Sequence, residues 1–219
     1  MNLIDLSKEF DILYNNINSN EAPGVTEYEK SVFLTQAQEA LVLDIIQGNK
    51  IEGVENTELL KEQLSKLTTE SYLSPVYYDN VPTITSSSVL YELPINLLHI
   101  LYEHIIKKIE GCSDVLIQVL PVTHDLIYKL LKNPFTGPSK QALRLNIGNN
   151  LIEVITDKSI TTTDKYFIRY IRCPKPIVLE DSELPVNGYD TPQECELHES
   201  LHRNILSRAV ILAKQVWLN

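Results

Sequence analysis

Across residues 1–71 apolar side chains return every three or four positions. Leu3, Ile4, Leu6, Phe10, Leu13 and Ile17 keep that spacing, which predicts an amphipathic helix. Asn15 to Gly24 interrupts it with turn formers (Asn-Asn, Asn-Ser-Asn, Pro-Gly). Thr26 and Glu29 then have the spacing of a capping box. The threonine hydroxyl can accept from the Glu29 N–H while the carboxylate reaches back to the start of the helix. Phe33, Leu34, Ala37, Leu41 and Ile45 continue as one stripe of a long helix, and Gly48 marks its end. A shorter helix is expected from about Thr57, with Leu60, Leu64 and Leu67 on one face.

From residue 72 the period shortens. Leu97 to Ile106 is a dense apolar run compatible with helix or buried strand; Pro94 and Gly111 bound it and favour strand. Val115, Ile117 and Val119 alternate. Leu143-Arg144-Leu145-Asn146-Ile147 alternates, turns at Gly148-Asn149-Asn150 and returns as Leu151 to Ile155, a hairpin pattern. Thr123 is placed to start a short helix that Asn133-Pro134 stops. Tyr166 to Arg172 reads as a further strand, with Pro174-Lys175-Pro176 as an extended exit.

A third zone starts near Thr191. Thr191-Pro192-Gln193-Glu194 offers a cap, a proline and a capping glutamate, so the last helix is expected to begin between Pro192 and Glu199. Leu201, Ile205, Ala209, Leu212, Ala213 and Val216 form its apolar stripe. The expected fold is α+β. Helices of residues 1–71 and the C-terminal helix of 191–219 form a bundle, and residues 72–190 are an inserted antiparallel β-rich region.

The 219 residues carry a net charge of −10. That balance argues against a general nucleic-acid binder, which would show a basic surplus. It suits a wall that DNA passes without being gripped, because each phosphate contact adds affinity and therefore drag. No apolar run approaches the roughly 20 residues that span a bilayer. Asp5, Glu9 and Asp11 near the start fit neither a secretory nor a transit peptide. A protein made in a cytoplasm, keeping its start and having no membrane contact, is expected. Cys112, Cys173 and Cys195 are odd in number and lack a C-x-x-C pair, so reduced thiols are expected rather than a disulfide framework.

Two patterns offer chemistry. His198-Glu199-Ser200-Leu201-His202 fits H-E-x-x-H, in which imidazoles at i and i+4 of one helix face hold Zn²⁺ and the glutamate activates water. The flanks argue against a zinc-dependent hydrolase. Arg203 and Asn204 follow the second histidine, and residues 203–219 supply no third ligand. The second pattern is Arg169, Arg172 and Lys175 with Tyr166, Phe167 and Tyr170, which interleaves basic and aromatic side chains like a stacking platform for single strands. A half-buried strand has the same composition, and the acidic chain favours that reading. His99, His104 and His124 are expected in a core or interface. The seven glycines form no phosphate-binding loop.

Several blocks together resemble one family. Val25-Thr26-Glu27-Tyr28-Glu29-Lys30-Ser31-Val32-Phe33-Leu34-Thr35-Gln36-Ala37-Gln38 is followed, in matching order, by Pro121-Val122-Thr123-His124-Asp125 and by Arg169-Tyr170-Ile171-Arg172-Cys173-Pro174-Lys175-Pro176-Ile177. Cys195-Glu196-Leu197, Leu201-His202, Ile205 and Arg208-Ala209-Val210 complete the set. They resemble a structural protein family of crAss-like bacteriophages, similar to podovirus head–tail connector (adaptor) rings. The resemblance implies a virion protein of the neck or tail, made in the host cytoplasm, with no catalytic residues, cofactor or metal. It implies a ring of about twelve copies closed by heterologous contacts. The partners implied are further copies of the chain, the portal protein and other connector or tail proteins, with genomic DNA passing through unbound. The interface is expected on Leu201, Ile205, Ala209, Leu212, Val216 and Trp217, with the terminal tryptophan as a plausible anchor.

Overall fold

The computed structural model describes residues 1–15, 24–48, 64–78, 81–107, 114–133, 135, 137–138, 141–156, 165–181 and 183–217. Thr57, Leu60, Cys112 and the side chain of Trp217 lie outside the described residues. The chain divides into two compact units, Met1–Leu67 with Cys173–Asn219, and Thr68–Arg172.

The first unit is built on three helices, α1 (Leu3–Asn15), α2 (Glu27–Gln47) and a C-terminal helix that starts at His202. Helix α1 buries Leu6, Phe10 and Tyr14, one residue per turn. Both bonds of the Thr26–Glu29 capping box form at the start of α2, and Gly48 closes it at φ 74°. A side chain at that φ would be strained, so glycine is the residue the stop requires. Lys30 joins the two helices. Its ammonium is buried and lies 2.7 Å from Asp11 and 2.8 Å from Glu27, with Ser7 Oγ at 3.1 Å. Burial is the largest single influence and lowers its pKa, but the hydrogen bonds and charges of Asp11 and Glu27 together outweigh it and hold the pKa above the ordinary lysine value.

What packs beside α2 is partly extended chain. Ser31, Thr35 and Gln38 lie at i, i+4 and i+7 and are all buried. Ser31 Oγ accepts from the Leu179 N–H at 3.0 Å. Thr35 Oγ1 accepts from the Ile177 N–H at 3.0 Å and donates to the Ile177 carbonyl at 3.3 Å. Gln38 Nε2 donates to the Lys175 carbonyl at 2.7 Å. One polar helix stripe thus satisfies an extended backbone as a neighbouring strand would.

The second unit is a sheet. Its strands are β1 (Thr68–Leu73), β2 (Pro75–Val76), β3 (Val89–Glu92), β4 (Leu97–Lys107), β5 (Val115–Val122), β6 (Ala142–Gly148), β7 (Leu151–Ile155) and β8 (Lys165–Arg172). They lie in the order β1-β8-β4-β5-β6-β7-β3-β2. The β6–β7 hairpin turns where Gly148, Asn149 and Asn150 all take positive φ. A short helix, α3 (Ile127–Leu131), crosses from β5 to β6, and those two strands pair in parallel. One face gathers Tyr91, Ile105, Val119, Ala142, Ile152, Val154, Tyr166, Ile168 and Tyr170 into a core. The opposite face of β6 and β7 packs Leu143 and Ile155 on Ile127 of α3. Glu153 is buried on β7 and is satisfied by the Ile84 N–H at 2.7 Å and the Ser88 hydroxyl.

This corrects the expected architecture of a helical bundle carrying an inserted antiparallel region. The dominant element is an eight-stranded mixed sheet with its own core. The expected helix ending at Leu67 becomes a single 3-10 turn, Ser65–Leu67, where described, and Thr68 opens β1. Thr191-Pro192-Gln193-Glu194 caps no helix. Gln193 instead forms an isolated bridge with Val178. Strict antiparallel pairing fails at β5–β6, where the α3 crossover returns the chain in the same direction. Leu97–Lys107 is strand, as its flanks predicted.

Candidate functional site: histidine turn, terminal helix and sheet surfaces

The histidine pair sits where two kinds of backbone meet. His198 is extended, at φ −63° and ψ 144°, and caps a 3-10 turn, Glu199–Leu201, by accepting from the Ser200 N–H. The terminal helix, α4 (His202–Trp217), begins only at the second histidine. The two imidazoles therefore do not share a helix face, which is the geometry that H-E-x-x-H chemistry needs. His198 is exposed and His202 is 4 % exposed. Both nitrogens of His202 are already engaged, Nε2 at 3.1 Å from the Leu197 carbonyl and Nδ1 at 3.2 Å from the Met1 amine. Burial pushes its pKa below the ordinary histidine value, and the Met1 amine works in the same direction. Among the described residues no three His, Cys, Asp or Glu side chains gather as a metal-binding group.

The apolar stripe of α4 splits into an inner and an outer part. Leu201, Ile205 and Ala209 are fully enclosed in the unit's own core, together with Leu206, Val210 and Ala213. Leu212 is half-buried, and Val216 is 61 % exposed. Ile4 and Ile12 on α1, Leu43 on α2 and Ile211 on α4 are exposed too. Arg208 ties α4 to Asp44 of α2 at 2.6 Å, and Lys214 Nζ donates to the Leu13 carbonyl at 3.0 Å. Cys195 donates its thiol to Gln38 Oε1 at 3.2 Å, and burial pushes its pKa up to about 11. A thiol in that state is a poor nucleophile.

The basic and aromatic strand is β8, and the structure does not offer it as a stacking platform. Tyr166 and Tyr170 point into the core. Phe167 lies on the other face but is covered by Tyr72, His104 and Tyr102, at ring-centroid distances of 5.1, 4.7 and 6.4 Å. Arg169 is paired with Glu70 of β1 at 2.5 Å. Lys175 belongs to the other unit. His104 is half-buried in this aromatic row, and its pKa is lowered by burial. His99 and His124 are exposed, and His124 Nε2 lies 2.8 Å from the Asn146 carbonyl.

One feature of the sheet is not visible in the sequence. Strand β4 pairs with β5 only over His104–Lys107, opposite Val115–Gln118. Beyond Gln118, β5 pairs with β6 on its far side. The strands part there, leaving a cleft of about 460 Å³ whose lining includes Leu98, Leu101, Glu103, Val119 and Arg144. Arg144 reaches from β6 to Glu103, and Tyr166 donates its hydroxyl to the same carboxylate. Burial and the Glu103 charge hold the Tyr166 hydroxyl far above the ordinary tyrosine pKa.

Among the described residues none of these surfaces brings together an acid, a base and a nucleophile. Comparison with known proteins gives them a context. A family model described as phage tail ring protein 3/4 matches residues 1–217. The chain belongs to this ring protein family. Ring protein 3 of Bacteroides phage crAss001 is 39% identical over 218 residues, covering 95% of this chain and 93% of that protein. Ring protein 4/5 of the same phage is 37% identical over 231 residues, covering 99% and 94%. The resemblance carried by the dispersed sequence blocks thus extends over the chain, which is a structural ring protein of a crAss-like phage virion. For a ring protein the histidine turn is the start of a packing helix, and the outward apolar positions of α1 and α4 become the surfaces of interest.

Proposed function

We propose that copies of this chain close into one ring of the connector between portal and tail, around the channel through which the genome leaves. The observation that carries this is the match to tail ring proteins along nearly the whole chain. Three physical features support it. The net charge of −10 suits a wall that does not retain DNA. The exposed apolar residues Ile4, Ile12, Ile211 and Val216 lie on helices, which suit lateral packing. The inner stripe Leu201, Ile205 and Ala209 shapes the subunit, and Leu212 and Val216 carry the stripe outward toward a neighbouring subunit or the portal. In this reading the ring holds about twelve copies, closed by heterologous contacts, and it performs no catalytic step and needs no cofactor. Electron microscopy of the purified virion neck tests it. A ring of this chain encircling the channel is expected; absence of the chain from purified virions would overturn the proposal.

A further inference from the structure

We infer that the cleft between β4 and β5 receives an extended strand from a neighbouring copy of the chain. The inference rests on the ring reading above and names the contact that would close the ring. Its physical basis is the open edge of β4. Toward β8 this strand is paired from Leu97 to Ile106, with register shifts that leave Leu98 and Leu101 as extra residues without a β8 partner. Toward β5 the pairing covers only His104–Lys107, so among the described residues no strand meets that edge from Leu98 to Glu103. Its outward N–H and C=O groups are a template for another strand. The opposite lip, β5 from Val119 onward, is likewise open on the side facing β4, and Pro121 there offers no N–H.

The side chains on this edge single it out from the sheet's other edges. β1, at one end of the sheet, carries Glu70 and three Thr or Ser residues. β2, at the other end, is two residues long and begins with Pro75. Both are blunted as exposed edges usually are. The run Leu97-Leu98-His99-Ile100-Leu101-Tyr102 has no Lys, Arg, Asp, Glu or Pro, and Glu103, the one charged residue of the open stretch, is buried and paired with Arg144. Leu101 and Tyr102 are each 50 % exposed. An uncharged, β-prone run with an open edge is an aggregation hazard unless something covers it. In a ring protein every subunit is presented with an identical neighbour, and strand addition supplies the backbone hydrogen bonds this edge lacks. The occupant is therefore a strand of a second copy, lying along β4 above the Glu103–Arg144 pair. Backbone pairing would hold it, and Leu98 and Leu101 would give the contact its apolar part.

Hydrogen–deuterium exchange on the full-length protein, with mass photometry of the same samples, tests this. On self-assembly the edge-facing amides within residues 98–103 are expected to slow about tenfold or more. Leu101→Lys is expected to weaken self-association about tenfold, while Tyr128→Lys, the same charge placed on α3, leaves it unchanged. If Leu101→Lys does not fold, exchange in the unmodified chain decides alone. Assembly with those amides exchanging as fast as in the single subunit would overturn the cleft contact and leave the ring reading standing. A chain that stays monomeric at all concentrations would overturn the cleft contact, while the ring reading falls only if the chain is absent from purified virions. Protection that appears only on adding a different tail protein would overturn the second copy as occupant.

Discussion

Glu103 and Arg144 meet across two strand positions of the sheet, with Arg144 Nε 3.0 Å from a Glu103 oxygen where β4 and β5 have parted. Both side chains are largely buried, at 7% and 11% exposure. The ion pair therefore links β4 to β6 beside a gap that backbone hydrogen bonds do not close. Removing one partner of such a pair strands the other charge. Arg144→Met is expected to destabilise the protein by about 3–5 kcal/mol. Replacing the whole network (Glu103→Leu, Arg144→Met, Tyr166→Phe) removes the stranded groups along with the pair. The triple variant should be more stable than Arg144→Met alone. Urea unfolding followed by fluorescence measures both; equal midpoints would refute the account.

The polar stripe on α2 predicts a second sensitivity. Thr35→Val removes one acceptor and one donor facing the buried backbone of Ile177. Each group left without a partner costs about 1–3 kcal/mol, so this nearly isosteric change should lower stability well beyond its lost volume. Glu39→Ala, one turn along and exposed, loses a surface contact to Asn187 and should stay within about 0.5 kcal/mol of the parent. Thermal unfolding of the two variants gives the comparison.

How much of this was legible in the sequence depended on the range of the forces involved. The α2 capping box and the β6–β7 hairpin were readable because Thr26–Glu29 and Gly148–Asn150 settle them locally. The bundle expectation failed because what lies beside α2 includes the extended 175–179 segment, held by Ser31, Thr35 and Gln38. On a helical wheel those three side chains look like ordinary polar positions. The parting of β4 from β5 was equally hidden, since it depends on which edge of β5 receives β6. The last helix begins beyond the expected Pro192–Glu199 range for a local reason: the His198 ring caps a 3-10 turn, and the α-helix starts only at His202.

Because the aromatic rings of β8 are covered, Arg169 is expected to act in a surface ion pair rather than on nucleic acid. Arg169 and Glu70 are each about half exposed, and such pairs are worth about 0–1 kcal/mol. Arg169→Ala should therefore change stability by no more than that. It should also leave any single-strand oligonucleotide binding unaltered at physiological salt. Fluorescence anisotropy titrations of both proteins check this, and a loss of saturable binding in the variant would restore the platform reading.

The extended backbone at His198 makes a parallel prediction about zinc. Both ring nitrogens of His202 are already engaged, and no second imidazole lies on its helix face. Protein equilibrated with zinc and then desalted should retain less than one equivalent, and His202→Ala should retain the same amount. Elemental analysis decides, with stoichiometric zinc lost in the variant as the contrary result.

His202 finally makes stability depend on pH in a defined direction. Its folded-state pKa lies below the ordinary value of about 6.5 because burial disfavours the charged ring. Between those two values the unfolded chain binds a proton that the folded chain does not. By linkage, stability rises with pH through this window, so the contribution is fully present above about pH 6.5 and is lost as the pH falls toward the folded pKa. The groups that act on the ring, the Met1 amine, Lys66 and Glu199, set how far the window extends. His104, lowered by burial in the sheet unit, adds a slope of the same sign. Melting temperatures from pH 7.5 to 5 should therefore fall on acidification. In His202→Gln the starting stability should be lower, because the contact to the Leu197 carbonyl is disturbed, but the slope should be shallower. An unchanged slope in His202→Gln would show that His202 is not the group taking up the proton.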